Sequence, residues 1–288
     1  MKIRKAMEKV KKIQSDDKLN AAESAKSGSV GSGMVHDQWA QPVYADSQCC
    51  KIDDEKAREN RCVCLFSDAP ELEYYKVLRT QIVHSFRAEG KNSIMITSVR
   101  PGEGKTVTSI NLALTFAKAY NQTVLLVDCD LRQQKIYRYL GIDSKKGIAD
   151  YLLGGQPLED IIIWPKVEKM TLISGGRTIN ESSELLGSQG MKDMVEQMKH
   201  RYDDRYLIFD VPPVLCGADT ITMAPLVDGI IIVVDPEKTS LKEVKEAMGL
   251  IPKEKFLGFV LNRHETTSKE YYDYYGGRSK VSLSDQLN

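Results

Sequence analysis

Apolar residues fall in short continuous runs along most of the chain, and segments with helical patterning separate them. The apolar runs are SIMITS (93–98), TVLLVD (123–128), MTLIS (170–174), YLIFDV (206–211), GIIIVVD (229–235) and FLGFVLN (256–262). The helical patterns cover 68–90, 106–120, 133–140, 183–200, 218–226 and 240–251. Short apolar runs without alternation are typical of strands buried on both faces. The pattern predicts an α/β fold, with helices on both faces of a doubly wound, mostly parallel sheet.

The first 65 residues do not show this alternation. Residues 15–61 are rich in Ser, Asp, Lys, Gly and Gln and include the linker-like SAKSGSVGSG, so we predict a flexible extension over 1–65. Between Ile3 and Ile13, apolar residues repeat at helical spacing among basic ones. This short basic amphipathic helix is either a solvated surface helix or a dock for a partner or an anionic membrane. We expect the folded domain over 66–264 and a flexible tail over 265–288.

Charge and composition exclude several classes of function. The 40 basic residues balance the 40 acidic ones, and we therefore expect no nucleic-acid partner. No apolar run approaches the roughly 20 residues of a membrane helix. The opening MKIRKAMEKVKK lacks the apolar centre of a secretory signal. We expect a cytoplasmic protein.

The six cysteines are too few for a disulfide scaffold in a chain of this length, so we expect reduced thiols. Cys49, Cys50, Cys62 and Cys64 lie in the predicted extension. Their spacing fits none of the familiar zinc patterns. We expect the other two, Cys129 and Cys216, to be small core residues.

The strongest motif is SVRPGEGKT (98–106), between the first strand and its helix. Backbone N–H groups at a helix N-terminus bind phosphate, and glycines let the backbone approach it. Lys105 can reach the β- and γ-phosphates, and the Thr106 hydroxyl suits Mg²⁺. Val99 stands where the generic pattern has its first glycine. We predict an ATP site formed by Arg100, Pro101, Gly102, Glu103, Gly104, Lys105, Thr106 and Val107.

Polar residues follow three of the predicted strands. Asp128 and Asp130 end one strand, Asp210 ends another, and Asn262 ends the last. Carboxylates at the carboxyl edge of such a sheet can hold Mg²⁺ or accept a proton from an attacking hydroxyl. Three such aspartates in a P-loop chain favour these roles over helix capping. Asn262 either reads the adenine edge or turns the chain.

Four tyrosines lie within five positions near the C-terminus, just before a Gly-Gly pair. They are Tyr271, Tyr272, Tyr274 and Tyr275. No alternation or helical stripe orders them, which argues against core packing. A tyrosine-rich adhesive patch is one interpretation. A group of phosphoacceptors beside a P-loop domain explains the clustering better.

With these motifs, residues 68–277 resemble the bacterial tyrosine kinases (BY-kinases) of polysaccharide export systems. The resemblance rests on SVRPGEGKT, VLLVDCDLR, YLIFDVPPV, SSELLGS, VDGIIIVV and the tyrosine tail. The family also lacks the first glycine of the generic loop, and this chain has Val99 at the same position. The resemblance implies a protein-tyrosine kinase that uses ATP and Mg²⁺ and phosphorylates its own tail.

The resemblance also implies roles for single residues. Lys105 would bind phosphate and serve catalysis, Thr106 and Asp210 would hold Mg²⁺, and Asp128 and Asp130 would serve metal binding and hydroxyl activation. Because relatives assemble through an ExxRxxR helix, Glu73, Lys76 and Arg79 would form an oligomer interface. Lys76 replaces the first arginine and loses its bidentate pairing. Arg100 stands where partition-type ATPases place a lysine that acts across an interface.

The resemblance further implies a homo-oligomer, possibly a ring, in which one subunit's tail enters a neighbour's site. This chain would be a stand-alone kinase, recruited to the inner face of the membrane by a polysaccharide copolymerase, with other tyrosine-phosphorylated proteins as further partners. We expect a phosphorylated tail to leave a carboxylate-lined site and to loosen the oligomer.

Two other functions fit the fold. A partition- or division-site ATPase would hydrolyse ATP to water, but it would give the tyrosine tail no purpose. A catalytically inactive scaffold would only bind nucleotide, which the intact Lys105, Thr106, Asp128 and Asp210 argue against.

Overall fold

A computed structural model describes residues 48–86, 90–144, 146–202 and 204–263 of the chain. Within them one sheet has the strand order β1-β4-β5-β3-β6-β2-β7-β8. Its strands are β1 (Gln48–Cys49), β2 (Ser93–Ser98), β3 (Thr123–Asp128), β4 (Ile162–Trp164), β5 (Met170–Ile173), β6 (Arg205–Asp210), β7 (Gly229–Val234) and β8 (Phe256–Leu261). Only the β4–β5 pair is antiparallel among these neighbours. The predicted mostly parallel sheet is confirmed.

Helices cover the sheet on both faces. They are α1 (Asp54–Glu59), α2 (Leu72–Phe86), α3 (Lys105–Ala117), α4 (Ile136–Leu140), α5 (Ile148–Gly154), α6 (Leu158–Ile161), α7 (Ser182–Leu186), α8 (Gln189–His200), α9 (Asp219–Met223) and α10 (Leu241–Gly249). Strands β2, β3 and β7 are buried at every position, and their side chains divide between two apolar clusters, one on each face. This burial explains why those strands read as continuous apolar runs.

One predicted helix, over 183–200, is two helices in the structure. α7 ends before Gly187, and the Ser188 side chain accepts a hydrogen bond from the Met191 N–H to begin α8. A serine cap satisfies one of the free N–H groups at a helix start. As a separate helix, α7 carries Ser182, whose hydroxyl bonds with Arg132 and Asp219.

The boundary at residue 65 differs from our prediction. Strand β1 pairs with β4, and Ala57, Cys62 and Cys64 are fully buried against the core. Asn111 of α3 accepts a hydrogen bond from the Cys64 N–H at 2.8 Å and donates one to the Arg61 carbonyl oxygen at 2.9 Å. The stretch from 48 to 65 is therefore part of the folded domain. We call residues 48–65 the belt. Few of its side chains face the core, which accounts for its polar composition.

The cysteines are free thiols in the described part of the chain. Cys62 and Cys64 lie in the core, and no metal-binding group of three or more His, Cys, Asp or Glu residues occurs among the described residues. Cys129 is buried as expected, but Cys216 is exposed and lines a cavity described below. The prediction of a core position for Cys216 is wrong because it lies in a 3₁₀ turn that leaves the sheet.

Two predicted segments lie outside the described residues: the basic N-terminal helix and the tyrosine tail. Within the described ranges, no helix is both long enough and apolar enough to span a membrane.

Candidate nucleotide-binding site

The loop between β2 and α3 has the backbone of a phosphate-binding loop. Gly102 and Gly104 adopt positive φ angles of 82° and 98°, which L-residues with a Cβ rarely adopt. Lys105 is the first residue of α3, so the free N–H groups of the helix start face the same edge. A Cβ on Gly104 would collide with the side-chain amide of Asn262. Glycine is therefore required there both for conformation and for space.

A buried carboxylate, Glu103, holds this loop in shape. One oxygen accepts the Arg100 N–H at 2.6 Å, and the other accepts the Asp235 N–H at 3.1 Å. The hydroxyl of Thr239 donates to the same second oxygen. The Glu103 side chain thus binds the protein rather than facing the cavity. Its predicted nucleotide contact can only come from its backbone.

Behind the loop, Lys105 is surrounded by acidic side chains. Its Nζ lies 3.0 Å from Asp130 Oδ2 and 3.4 Å from Asp210 Oδ2. Thr106 donates its hydroxyl to Asp210 Oδ2 at 2.7 Å, and Ser109 donates to the other oxygen at 3.2 Å. The structure therefore brings together the lysine, the threonine and two of the strand-end aspartates that the sequence singled out.

The electrostatics of this cluster are strongly coupled. Burial, and after it the Asp210 charge, raise the pKa of Asp128 to about 7 against the opposing charge of Lys105. Burial also raises the pKa of Asp210, although Lys105 and the Thr106 hydrogen bond oppose it. Burial alone would lower the pKa of Lys105, but the three carboxylates outweigh it and raise the pKa. The lysine is therefore charged, and the carboxylates compete for its single positive charge.

The donor set fits Mg²⁺. A threonine hydroxyl beside the Asp210 carboxylate offers the oxygen ligands that this hard cation prefers. Mg²⁺ keeps several waters and takes phosphate oxygens, so a cluster of three protein carboxylates is not required. Thr106 and Asp210 would hold the ion, which would neutralise phosphate charge.

Asp128 and Asp130 differ in their access to the cavity. Asp128 is fully buried, and its two oxygens accept the N–H groups of Asp130 at 3.1 Å and Ile136 at 3.2 Å. Asp130 lines the cavity and accepts the Gln133 N–H at 3.1 Å. Asp130 is therefore the carboxylate that a bound hydroxyl can reach, and Asp128 supports the turn that presents it.

The cavity in front of this cluster has a volume of about 280 Å³. It takes Pro101, Gly102, Gly104, Lys105, Thr106 and Val107 from the phosphate loop and the start of α3. It also contains residues that we did not predict: Arg132, Gln133, Lys135, Tyr139, Pro212, Pro213, Cys216, Asp219 and Arg263. Arg132 and Pro212 lie within motifs that had been noted, which was a signal for their position. Nothing local in the sequence marks Tyr139 or Arg263.

The lining changes our view of the charge of the site. Its cationic side chains are Lys105, Arg132, Lys135 and Arg263, and its only carboxylates, within the described residues, are Asp130 and Asp219. The expectation of a carboxylate-lined site is wrong, because Asp128 and Asp210 are buried behind the surface. Repulsion by carboxylates in the lining is therefore no longer a reason for a phosphorylated tail to leave the site.

Like Glu103, the predicted binding residues Arg100 and Asn262 lie beside the cavity rather than in its lining. Arg100 forms an ion pair with Glu243 of α10 at 2.9 Å. Asn262 donates its side-chain amide to the Glu103 carbonyl oxygen at 2.8 Å. Both contacts fix the loop or its surroundings, so any effect of these two side chains on nucleotide would pass through the loop.

The predicted interface residues lie on α2. Lys76 forms an exposed ion pair with Glu73 at 2.6 Å. Arg79 is about half buried and donates to the Thr115 carbonyl oxygen at 2.7 Å, in the last turn of α3. The arginine thus ties α2 to the helix that starts at the phosphate loop. Their role between subunits stays a prediction.

Comparisons with known proteins identify relatives of this chain. A family model described as an AAA domain matches residues 91–255. The tyrosine-protein kinase YwqD of Bacillus subtilis strain 168 is 32% identical over 207 residues, which is 71% of this chain and 86% of that protein. The crystal structure of the chimerical protein CapA2B2 superposes with a TM-score of 0.67 and 26% identity, over 81% of this chain and 98% of the other.

The fold is shared more widely. A ParA family ATPase from Chlorobium tepidum TLS has a TM-score of 0.50 and 21% identity, over 65% of this chain and 81% of that one. At that identity the likeness is one of fold alone. The kinase relative covers most of both chains at higher identity, and the phosphate loop, the lysine and the strand-end aspartates stand together in the structure. The chain therefore belongs to the bacterial tyrosine-kinase family, with that family's P-loop fold.

Proposed function

We propose that this protein is an ATP- and Mg²⁺-dependent tyrosine kinase that phosphorylates its own C-terminal tyrosine cluster. The observation that carries the proposal is the contact of Lys105 Nζ with Asp130 at the floor of an open cavity. A phosphate-binding cation and a carboxylate within reach of an incoming hydroxyl are what phosphoryl transfer requires. Family membership supports tyrosine as the acceptor.

In the proposed reaction, the tyrosine oxygen forms a bond to the γ-phosphorus, and the bond from that phosphorus to the β-phosphate bridging oxygen breaks. ADP leaves, and the phenolic proton passes to Asp130. Lys105 and the loop N–H groups hold the phosphates in line with the acceptor, which is the main contribution of protein in this chemistry. Asp128 acts through the turn that it supports.

The acceptor tail would come from a neighbouring subunit, with α2 in the contact between copies. By the same resemblance, a membrane polysaccharide copolymerase would recruit and activate the kinase at the inner face of the cytoplasmic membrane. Phosphorylation would then regulate exopolysaccharide polymerisation or export. Other proteins phosphorylated on tyrosine would be further substrates.

The test is incubation of the pure protein with Mg-ATP at a concentration that permits assembly, followed by peptide mass spectrometry. We expect phosphate on Tyr271, Tyr272, Tyr274 or Tyr275, and none in Lys105→Met. Lys118→Met is the matched control, because Lys118 is an exposed lysine at the far end of α3. ATP hydrolysis without tyrosine modification would overturn the proposal in favour of an ATPase switch.

Transfer between subunits is tested by mixing two variants. The donor has all four tail tyrosines changed to Phe, and the acceptor carries Lys105→Met. Phosphate on the acceptor's tail shows transfer in trans. If the acceptor stays unmodified while the wild-type protein, under the same conditions, phosphorylates its own tail, the reaction stays within one chain.

A further inference from the structure

One wall of the cavity carries cations that the proposed phosphoryl transfer does not use. The segment after β3 supplies Arg132, Gln133 and Lys135 to the lining, next to Asp130. Lys105 and the phosphate loop reach the lining from a different connection, the one between β2 and α3. The carboxylate that faces the acceptor and these two cations thus belong to the same short turn.

Arg132 is held in place and still accessible. Its Nε donates to Ser182 Oγ at 2.9 Å, and its Nη2 lies 3.9 Å from Asp219 Oδ1. Ser182 in turn donates to Asp219 Oδ2 at 2.6 Å. The arginine side chain remains 47% exposed, whereas Asp219 is only 4% exposed. The buried pair therefore positions the guanidinium and leaves part of it open to a ligand.

Lys135 is the less constrained of the two cations. Within the described residues, its side chain forms no ion pair or hydrogen bond. It directly precedes Ile136, whose N–H binds Asp128. Lys135 is partly buried in the cavity lining, and a partly buried ammonium attracts a carboxylate more strongly than a fully solvated one does.

The chain contains a segment of matching charge. The tail reads Lys269-Glu270-Tyr271-Tyr272-Asp273-Tyr274-Tyr275, so each acceptor tyrosine lies within two positions of a carboxylate. A tyrosine that reaches Asp130 must bring these neighbours to the wall that holds Arg132 and Lys135. Ion pairs there would offset the repulsion between the segment's own carboxylates and Asp130.

We infer that Arg132 and Lys135 bind the acidic side chains beside the acceptor tyrosine, so that the kinase selects acidic tyrosine segments as substrates. This inference rests on the proposed function, whose acceptor it specifies. Arg132 and Lys135 are then specificity-determining residues, and Ser182 and Asp219 are positioning residues for Arg132.

The test uses a donor chain whose four tail tyrosines are Phe, so that only an added peptide can accept phosphate. The peptide covers residues 268–278, and its variant carries Glu270→Gln and Asp273→Asn, which remove charge with little change of shape. We expect KM for the variant peptide to rise about fivefold to thirtyfold, given roughly 0.5–1 kcal/mol for each partly exposed pair. KM for ATP should not change.

A charge exchange makes the test specific to the wall. In the donor, Lys135→Glu should raise KM for the native peptide. A peptide with Asp273→Lys should restore KM in that variant. Arg138→Glu is the matched control, because Arg138 is an exposed cation on the adjoining α4 and is outside the cavity lining. That variant should leave both KM values unchanged.

Binding of the fluorescent peptide to the ADP-loaded donor, read by anisotropy, separates this inference from the proposed function. Charge-dependent binding without any transfer would overturn the kinase proposal and leave the acidic-segment site standing. Equal binding and equal KM for charged and neutral peptides would overturn the inference alone. A larger rise of the ATP KM than of the peptide KM in Lys135→Glu would also overturn it, because the cation would then serve the nucleotide.

Discussion

The side-chain amide of Asn262 donates a hydrogen bond to the carbonyl oxygen of Glu103 at 2.8 Å. The backbone N–H of Asn262 also binds the Val234 carbonyl oxygen at 2.9 Å, so the end of the last strand is fastened to the sheet and to the phosphate loop together. Of the two roles that the sequence left open, adenine recognition and turning the chain, neither describes this contact. Asn262 stabilises the loop that would receive the phosphates.

We expect Asn262→Ala to weaken ATP binding about fivefold, because one hydrogen bond of about 1 kcal/mol that shapes the loop is lost. Titration calorimetry with a non-hydrolysable ATP analogue measures the effect. Asn121→Ala, at an exposed asparagine in the turn before β3, is the control and should bind as the wild type does. Unchanged affinity in Asn262→Ala would show that the loop keeps its shape without this bond.

Gly104→Ala should reduce nucleotide affinity by about thirtyfold to a hundredfold. The added Cβ meets both an unfavourable φ of 98°, at about 1–2 kcal/mol, and the Asn262 amide. Gly102→Ala separates the two effects, because its φ is also positive, at 82°, but nothing lies within 4 Å of the added Cβ. Gly102→Ala should therefore lose less nucleotide affinity than Gly104→Ala. Equal losses in the two variants would mean that the collision with Asn262 is relieved at no cost.

Asp128 should make the folded state less stable as pH rises. Its carboxyl has a pKa of about 7 when folded and about 4 when unfolded. Because the folded state binds this proton more tightly, its stabilising contribution is complete below about pH 4 and is lost as pH rises through 7. Asp128→Asn removes that loss. Relative to the wild type, its free energy of unfolding should thus increase between pH 5 and pH 8, by on the order of 2 kcal/mol.

Urea denaturation at the two pH values, in Mg²⁺-free buffer, measures this difference. Asp193→Asn on the exposed side of α8 is the control and should track the wild type. If the Asp128→Asn and wild-type curves stay parallel across this pH range, the buried carboxyl does not titrate there.

Removal of residues 48–65 should destabilise the domain. A chain that begins at residue 66 loses the fully buried Ala57, Cys62 and Cys64 and leaves the buried amide of Asn111 without two hydrogen-bond partners. We expect a loss of at least about 3 kcal/mol in the free energy of unfolding. A chain that begins at Gln48 is the control and should melt at the temperature of the full chain. Equal melting of both would show that the belt adds nothing.

The central sheet could be predicted because its strands are buried on both faces. Ser93–Ser98 and Thr123–Asp128 have in the structure the bounds that their apolar runs indicate. Strands β1 and β4 were not predicted, because β1 has only two residues and the four-residue apolar run IIIW (161–164) that contains β4 is shorter than the runs assigned to strands. Local pattern also cannot show the role of Glu103, whose partner Thr239 is 136 residues away.

The sequence likewise predicts some features of the candidate site and not others. Lys105, Thr106 and the strand-end aspartates follow from motif and position alone, because parallel strands end at one edge. The depth of each side chain does not follow from sequence. Asp128 and Asp130 are two residues apart, yet one is sealed in the core and the other faces the cavity. The turn between them is fixed in part by a long-range hydrogen bond, from the Cys129 N–H to the Asp210 carbonyl oxygen at 2.8 Å.

The belt that precedes α2 has a consequence for the order of events during synthesis. Its strand partner, Ile162–Trp164, leaves the ribosome more than 100 residues after Gln48 and Cys49, and Asn111 follows Cys64 by 47 residues. The first described residues to emerge therefore wait for their partners, while the thiols of Cys62 and Cys64 stay exposed. Long-range closure of this kind is slow. The nascent chain is thus accessible to oxidants and chaperones around Cys62 and Cys64, which are buried in the folded protein.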